Sequence, residues 1–126
     1  MNKCQKNSGK TLSMIRGDSA TFHFHREDAD GKVIITTPQE IYFTVKASFD
    51  DAGFVIQKRL ADMTVDSVGE YSFTILPTDT NALDFGEYVY DLEVVRNAEA
   101  TDKQTISKGI FELETEVTYA INEEGE

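Results

Sequence analysis

Residues 40–49, EIYFTVKASF, alternate strictly, and that alternation constrains the fold more than any other feature of the chain. Ile41, Phe43, Val45, Ala47 and Phe49 fall on one side of an extended backbone, and Tyr42, Thr44, Lys46 and Ser48 on the other. A helix would scatter these two sets around its circumference, whereas a strand sorts them onto two faces, one to bury and one to wet. The same period recurs along the chain. Residues 11–16 read as a first strand. Residues 19–26 read as a second, with Ala20, Phe22 and Phe24 opposed to Thr21, His23 and His25. Further strands are expected over 54–58, 61–65 and 70–76, with Tyr71, Phe73 and Ile75 inward. In 86–96, Tyr88, Tyr90, Leu92 and Val94 oppose Val89, Asp91, Glu93 and Val95; in 103–118, Phe111, Leu113, Thr115 and Val117 oppose Ile110, Glu112, Glu114 and Glu116.

Turn chemistry separates these runs. Asp28-Ala29-Asp30-Gly31, Asp50-Asp51-Ala52-Gly53 and Ser67-Val68-Gly69 combine residues that tolerate tight or left-handed backbone. Pro77 opens the one break in the pattern, and residues 78–83 are expected to form a short helical turn with Leu83 packed beneath the strands. Seven or eight short strands with almost no helix close best as two packed antiparallel sheets, so the expected fold class is an all-β, two-sheet sandwich. At 126 residues this is one domain. Its expected parts are a flexible polar tail over 1–10, the sandwich over 11–119 and an acidic tail over 120–126.

The motif Asp84-Phe85-Gly86-Glu87-Tyr88-Val89-Tyr90 sharpens the expectation. Immunoglobulin-like sandwiches carry a tyrosine corner at the start of a long strand, two residues before a core cysteine. Here Tyr88 stands at the corner and is expected to bond back to the backbone near Asp84, while Tyr90 occupies the cysteine's place. Cys4 is the single cysteine, so no intrachain disulfide can form.

Three stretches suggest chemistry. Arg16-Gly17-Asp18 spells an integrin-type tripeptide, but it joins two strands, and the spacing makes it a strand corner. His23 and His25 project from the same face, as two metal ligands would, yet zinc needs a third and usually a fourth ligand, which no spacing supplies. Asp28 to Gly31 begins like a calcium loop, but the glycine comes too early and no helix flanks it; Asp50, Asp51, Asp62 and Asp66 could join it only through the fold. No nucleophile elbow or glycine-rich phosphate loop is present, and Glu112, Glu114 and Glu116 form a one-sided row rather than a facing pair. No catalytic residue, metal ligand or cofactor is therefore expected. The net charge of −11 disfavours nucleic acid and anionic membranes. No apolar run reaches the length of a membrane span, and residues 1–10 lack the apolar core of a signal peptide, so folding in a cytoplasm is expected.

Three ordered pieces carry a resemblance. They are the run Met14 to Phe24, the pair formed by Ile41 to Lys46 and Val55 to Lys58, and the pair formed by Leu76 to Leu83 and Gly86 to Leu92. Together they resemble the small β-sandwich domains of tailed-phage structural proteins, and most nearly the N-terminal domain of baseplate upper proteins in phages of Gram-positive bacteria. The resemblance implies a non-catalytic virion or prophage component, a baseplate or tail accessory protein assembled in a bacterial cytoplasm. Its implied partners are other virion or tail proteins and copies of itself. Those relatives continue into long helical segments, so a chain ending at Glu126 is expected to act as a free-standing module. Lys3, Lys6, Lys10 and Arg16 near one end and the glutamates near the other are candidate head-to-tail docking charges. A cell-surface carbohydrate-binding or adhesion module is the alternative, with Tyr42 and Tyr119 as its candidate exposed aromatics.

Overall fold

A computed structural model describes residues 10–115. Most of the two expected tails, and the end of the last expected strand, lie outside these residues. The described chain is an immunoglobulin-like sandwich of two sheets. Its strands are β1 (Leu12–Ile15), β2 (Ala20–His25), β3 (Glu40–Lys46), β4 (Ile56–Arg59), β5 (Thr64–Val65), β6 (Glu70–Ile75), β7 (Gly86–Val95) and β8 (Lys103–Glu114). One sheet has the order β1-β8-β7-β3-β4, the other β2-β6-β5. In immunoglobulin terms β2, β6 and β5 take the places of B, E and D, while β3, β7 and β8 take those of C, F and G. β4 is an added edge strand beside β3. β1 lies on the larger sheet, parallel to β8, whereas the seven-strand arrangement puts its first strand beside B. That parallel pair is the one departure from the antiparallel pattern expected from the sequence.

Alternation carried through most strands. In β3 the buried residues are Ile41, Phe43 and Val45, and in β6 they are Tyr71, Phe73 and Ile75. The sheets meet on aromatic rings: Phe43 of the larger sheet lies 4.5 Å from Phe73 of the smaller. Tyr90 and Phe111 present edges to Phe43 at 5.7 and 6.5 Å, the tilted arrangement that ring quadrupoles favour.

Four details differ from expectation. β3 ends at Lys46, so Ala47 and Phe49 lie outside the strand and are exposed. The expected strand over 61–65 begins instead as a 3-10 turn, Leu60–Asp62, leaving two strand residues. Asp62 causes this, because its carboxylate accepts the Arg59 backbone N–H at 2.9 Å and winds the chain. Val95 is buried on what alternation makes an outer face, flanked in register by Glu40 and Lys103. Finally, Leu92 pairs with Ser107 but Glu93 with Thr105, so Ile106 is an extra residue that reverses the alternation of β8. The helical turn α1 (Pro77–Thr80) forms with proline at its first position.

Two carboxylates tie the edges together. Glu40 accepts backbone N–H groups of Ile41 and Leu60 and the Arg59 guanidinium. Asp79 of α1 accepts the Leu76 N–H and the Lys58 ammonium, each at 2.8 Å. For both, burial pushes the carboxyl up, but these donors outweigh it and hold it below the usual range. The unfolded chain has no such donors. Their stabilisation is therefore full above the ordinary carboxylate range and is lost as pH falls through the lower, folded values, from about pH 4 downward. Asp91 acts oppositely. Burial first, then Glu93, pushes its carboxyl up against the pull of Lys46 and Lys108, so its ionisation costs the folded state at neutral pH and that cost disappears in acid. Urea midpoints measured between pH 7 and 3 should fall in acid, and Asp79→Asn should flatten the fall while lowering stability at pH 7. A variant as steep as the parent would remove Asp79 from the cause.

Candidate interaction surfaces

The two sequence corners come together in space. Arg16 Nη1 donates to the Leu83 carbonyl at 3.2 Å, and its guanidinium lies 5.3 Å from the centre of the Phe85 ring. The Gly17 N–H donates to Thr80 Oγ1 at 2.9 Å, and Thr80 is fully buried. Gly17 has φ 87°, the left-handed backbone that lets the chain turn there. The Asp18 N–H closes the turn on the Ile15 carbonyl. Nearby, Tyr88 Oη donates to the Asp84 carbonyl at 2.6 Å, the geometry of a tyrosine corner. Burial, then the Asp84 charge, pushes the Tyr88 hydroxyl up, against the pull of Arg16. Gly86, at φ 142°, lets the chain enter β7 there.

The tripeptide's arginine thus points into the molecule while its aspartate stays exposed. Arg16→Ala is expected to cost about 1–2 kcal/mol through the lost carbonyl bond and ring contact. Asp18→Ala, which removes no side-chain bond among the described residues, is expected within about 0.5 kcal/mol of the parent. Urea denaturation checks both, and equal losses would contradict this division of roles.

Tyr90 does more than replace a cysteine. Its hydroxyl donates to the Lys10 carbonyl at 2.9 Å and lies 3.1 Å from Ser107 Oγ, joining the start of the described chain to β7 and β8. Burial pushes this hydroxyl up, and the Ser107 bond partly offsets it. Nothing in the local sequence signals that bond, because Lys10 and Tyr90 are eighty residues apart.

The other suggestive residues serve local structure. Asp28 Oδ1 accepts the N–H groups of Asp30 and Lys32, and Asp66 Oδ1 accepts those of Val68 and Glu70. His25 is 2.8 Å from Glu27 and 3.8 Å from Glu70. Among the described residues, no group of three or more His, Cys, Asp or Glu gathers as a metal site.

Two surfaces have no sequence signal. At the β3–β4 hairpin, Phe49 is 54% exposed and Phe54 56%, with Val55 beside them. Lys108 of β8 reaches over the Phe49 ring at 5.5 Å. Tyr42, an expected exposed aromatic, lies under the Arg59 guanidinium at 5.3 Å; Tyr119 is outside the described residues. The second surface is a groove of about 470 Å³ between β2 and β8, floored by Phe22, Phe24, Leu92 and Ile106.

No family model matches the chain, and no curated protein matches it. Solved structures of low similarity include the NK cell receptor Nkp44, with TM-score 0.48, 14% identity and coverage of 86% of this chain and 98% of that one. The extracellular domain of the voltage-gated sodium channel beta4 subunit gives 0.41 and 10%, covering 88% and 94%. Tim-1 gives 0.38 and 16%, covering 86% and 92%. At such identities and scores nothing about activity or partners passes from them to this chain. The sandwich assignment rests on the strand order and the corner described above.

Proposed function

We propose that this chain is a non-catalytic protein-interaction module of a phage or prophage particle, a baseplate or tail accessory component assembled in the bacterial cytoplasm. The observation that carries the interaction reading is the hairpin tip, where Phe49, Phe54 and Val55 stand exposed together on a strongly acidic protein. Burying the exposed half of such side chains against a partner removes apolar area worth up to about 1–1.5 kcal/mol each, which gives a small tip the means to dock. Lys108 beside Phe49 supplies a positive contact next to the apolar one. The place in a particle is supported by the resemblance of Met14 to Phe24 and the two later segments to phage sandwich domains.

The carbohydrate-binding alternative calls for an open aromatic platform. Tyr42, one of its two candidates, is covered by Arg59, which counts against it.

Mass spectrometry of particles purified from the encoding host tests the reading. The chain should be present, and the double variant Phe49→Ser, Phe54→Ser should keep its melting temperature but disappear from the particles. Absence of the parent chain from particles, or a specific signal on a glycan array, would overturn the proposal.

A further inference from the structure

We infer that the hairpin tip of one copy docks on the opposite end of a second copy, at an aliphatic patch built by Val33, Ile35 and Val68. The inference rests on the interaction-module reading of the tip and names the tip's partner.

Two loops far apart in sequence assemble the patch. Val33 and Ile35 lie between β2 and β3, and Val68 lies in the turn between β5 and β6. They are 42%, 64% and 66% exposed. Gly69 joins the two loops. It is buried, and a methyl group on it would meet Val33 Cγ1 at 2.8 Å and Ile35 Cγ2 at 3.3 Å, so both side chains rest on the backbone beside Val68. Ile34, between them, turns the other way and lines the groove between β2 and β8. Period two thus leaves Val33 and Ile35 outward. Aliphatic side chains gathered on a surface in this way, rather than scattered singly, mark a contact site.

The patch and the tip lie at opposite ends of the sandwich. His25 at the end of β2 pairs with Glu70 at the start of β6, so the two patch loops meet at one end. The segment holding Val33 and Ile35 leads into Glu40, the first residue of β3, and the hairpin follows Lys46, the last. The length of β3 puts roughly 20 Å between them.

Charge selects the pairing. Around the patch, over residues 27–39 and 66–69, Glu27, Asp28, Asp30 and Asp66 outnumber the one base, Lys32. Asp66 is exposed, and its Oδ1 accepts the N–H groups of Val68 and Glu70, while its Oδ2 has no bond among the described residues. An acceptor oxygen therefore stands beside Val68. At the tip, Lys46 and Lys108 balance Asp50 and Asp51, and the Lys108 ammonium lies against the Phe49 ring. Patch on patch would bring two acidic rims together, and tip on tip would bring the two Lys108 ammoniums together. Tip on patch sets Lys108 against the loop carboxylates, so it is the favoured contact.

Such a contact is heterologous. Each copy offers its tip to one neighbour and its patch to another, so copies add in series. Six apolar side chains make a small contact, with an expected Kd of about 0.1–1 mM, which holds best where many copies are concentrated in one assembly.

Complementation between two full-length variants tests this. Sedimentation of the parent should show a mass that rises with concentration past that of a dimer, up to about 2 mM. The tip variant Phe49→Ser, Phe54→Ser and the patch variant Ile35→Ser, Val68→Ser should each stay monomeric with unchanged circular dichroism, since all four side chains are exposed. Mixed in equal amounts they should form a dimer and nothing larger, because each pair then has one intact tip and one intact patch. A parent that is monomeric throughout the range overturns the inference. So does a patch variant that associates like the parent, or a mixture that stays monomeric. The particle assay reads the tip separately. A monomeric parent that still enters particles leaves the interaction-module reading standing, and a chain that associates but is absent from particles removes the particle reading alone.

Discussion

Phe43→Ala is expected to destabilise the protein by about 4 kcal/mol, the cost of emptying a large aromatic site whose walls cannot collapse. Phe43 is 1% exposed, and rings from three other strands meet it: Phe73 from the opposite sheet, and Tyr90 and Phe111 from its own. Their positions are set by strand register, so they cannot close over the gap without breaking ladders. A domain of this size has about 5–15 kcal/mol in total, so the variant would lose a large share of its stability. Phe49→Ala is the control. It removes the same side chain from the same alternating run, at a position that is more than half exposed, and should change stability by less than about 0.5 kcal/mol. Urea unfolding of the two variants decides the matter. Similar losses would mean that the inner face of the sandwich extends to the hairpin tip.

The second large effect concerns a turn. Gly69→Ala is expected to cost about 3 kcal/mol, combining left-handed strain of about 1–2 kcal/mol with crowding of a packed site. Gly69 has φ 88°, and a methyl group there would sit 2.8 Å from Val33 Cγ1 and 3.0 Å from the Ile34 carbonyl oxygen. That carbonyl has little room to retreat, because the N–H of Ile34 is bonded to the Arg26 carbonyl at 2.8 Å. Gly86→Ala separates the two causes. Gly86 also has positive φ, at 142°, but nothing lies within 4 Å of a Cβ there. Its loss should be backbone strain alone, about 1–3 kcal/mol at this more extended positive φ. Thermal or urea unfolding of both variants measures the difference. A Gly69→Ala loss no larger than the left-handed strain itself, about 1–2 kcal/mol, would show that the contact with residues 33–35 carries no energy.

Much of the architecture was legible because it is written locally. The inward sets Ile41-Phe43-Val45 and Tyr71-Phe73-Ile75 follow from period two alone, and Pro77 marks the helical turn by its chemistry. The Tyr88 corner was legible for the same reason, since donor and acceptor lie four residues apart. What escaped had no local mark. The Ile106 bulge depends on the register of two strands. The hairpin tip departs from alternation because β3 stops at Lys46 although the period-two pattern runs on to Phe49, and no residue within 40–49 marks that end. The groove likewise arises from where β1 sits.

Local sequence suffices to specify that the chain forms strands, which side chains most of them bury, and where most turns fall. These depend on neighbours two to five residues away and on the steric limits of each residue type. The docking of Arg16 and Gly17 on Leu83 and Thr80, residues 67 and 63 positions distant, is set by the packed fold. That fold alone decided that β1 joins β8 in parallel rather than pairing with β2. Those outcomes depend on which strands become neighbours, a choice made by packing the whole core, so no local stretch encodes it.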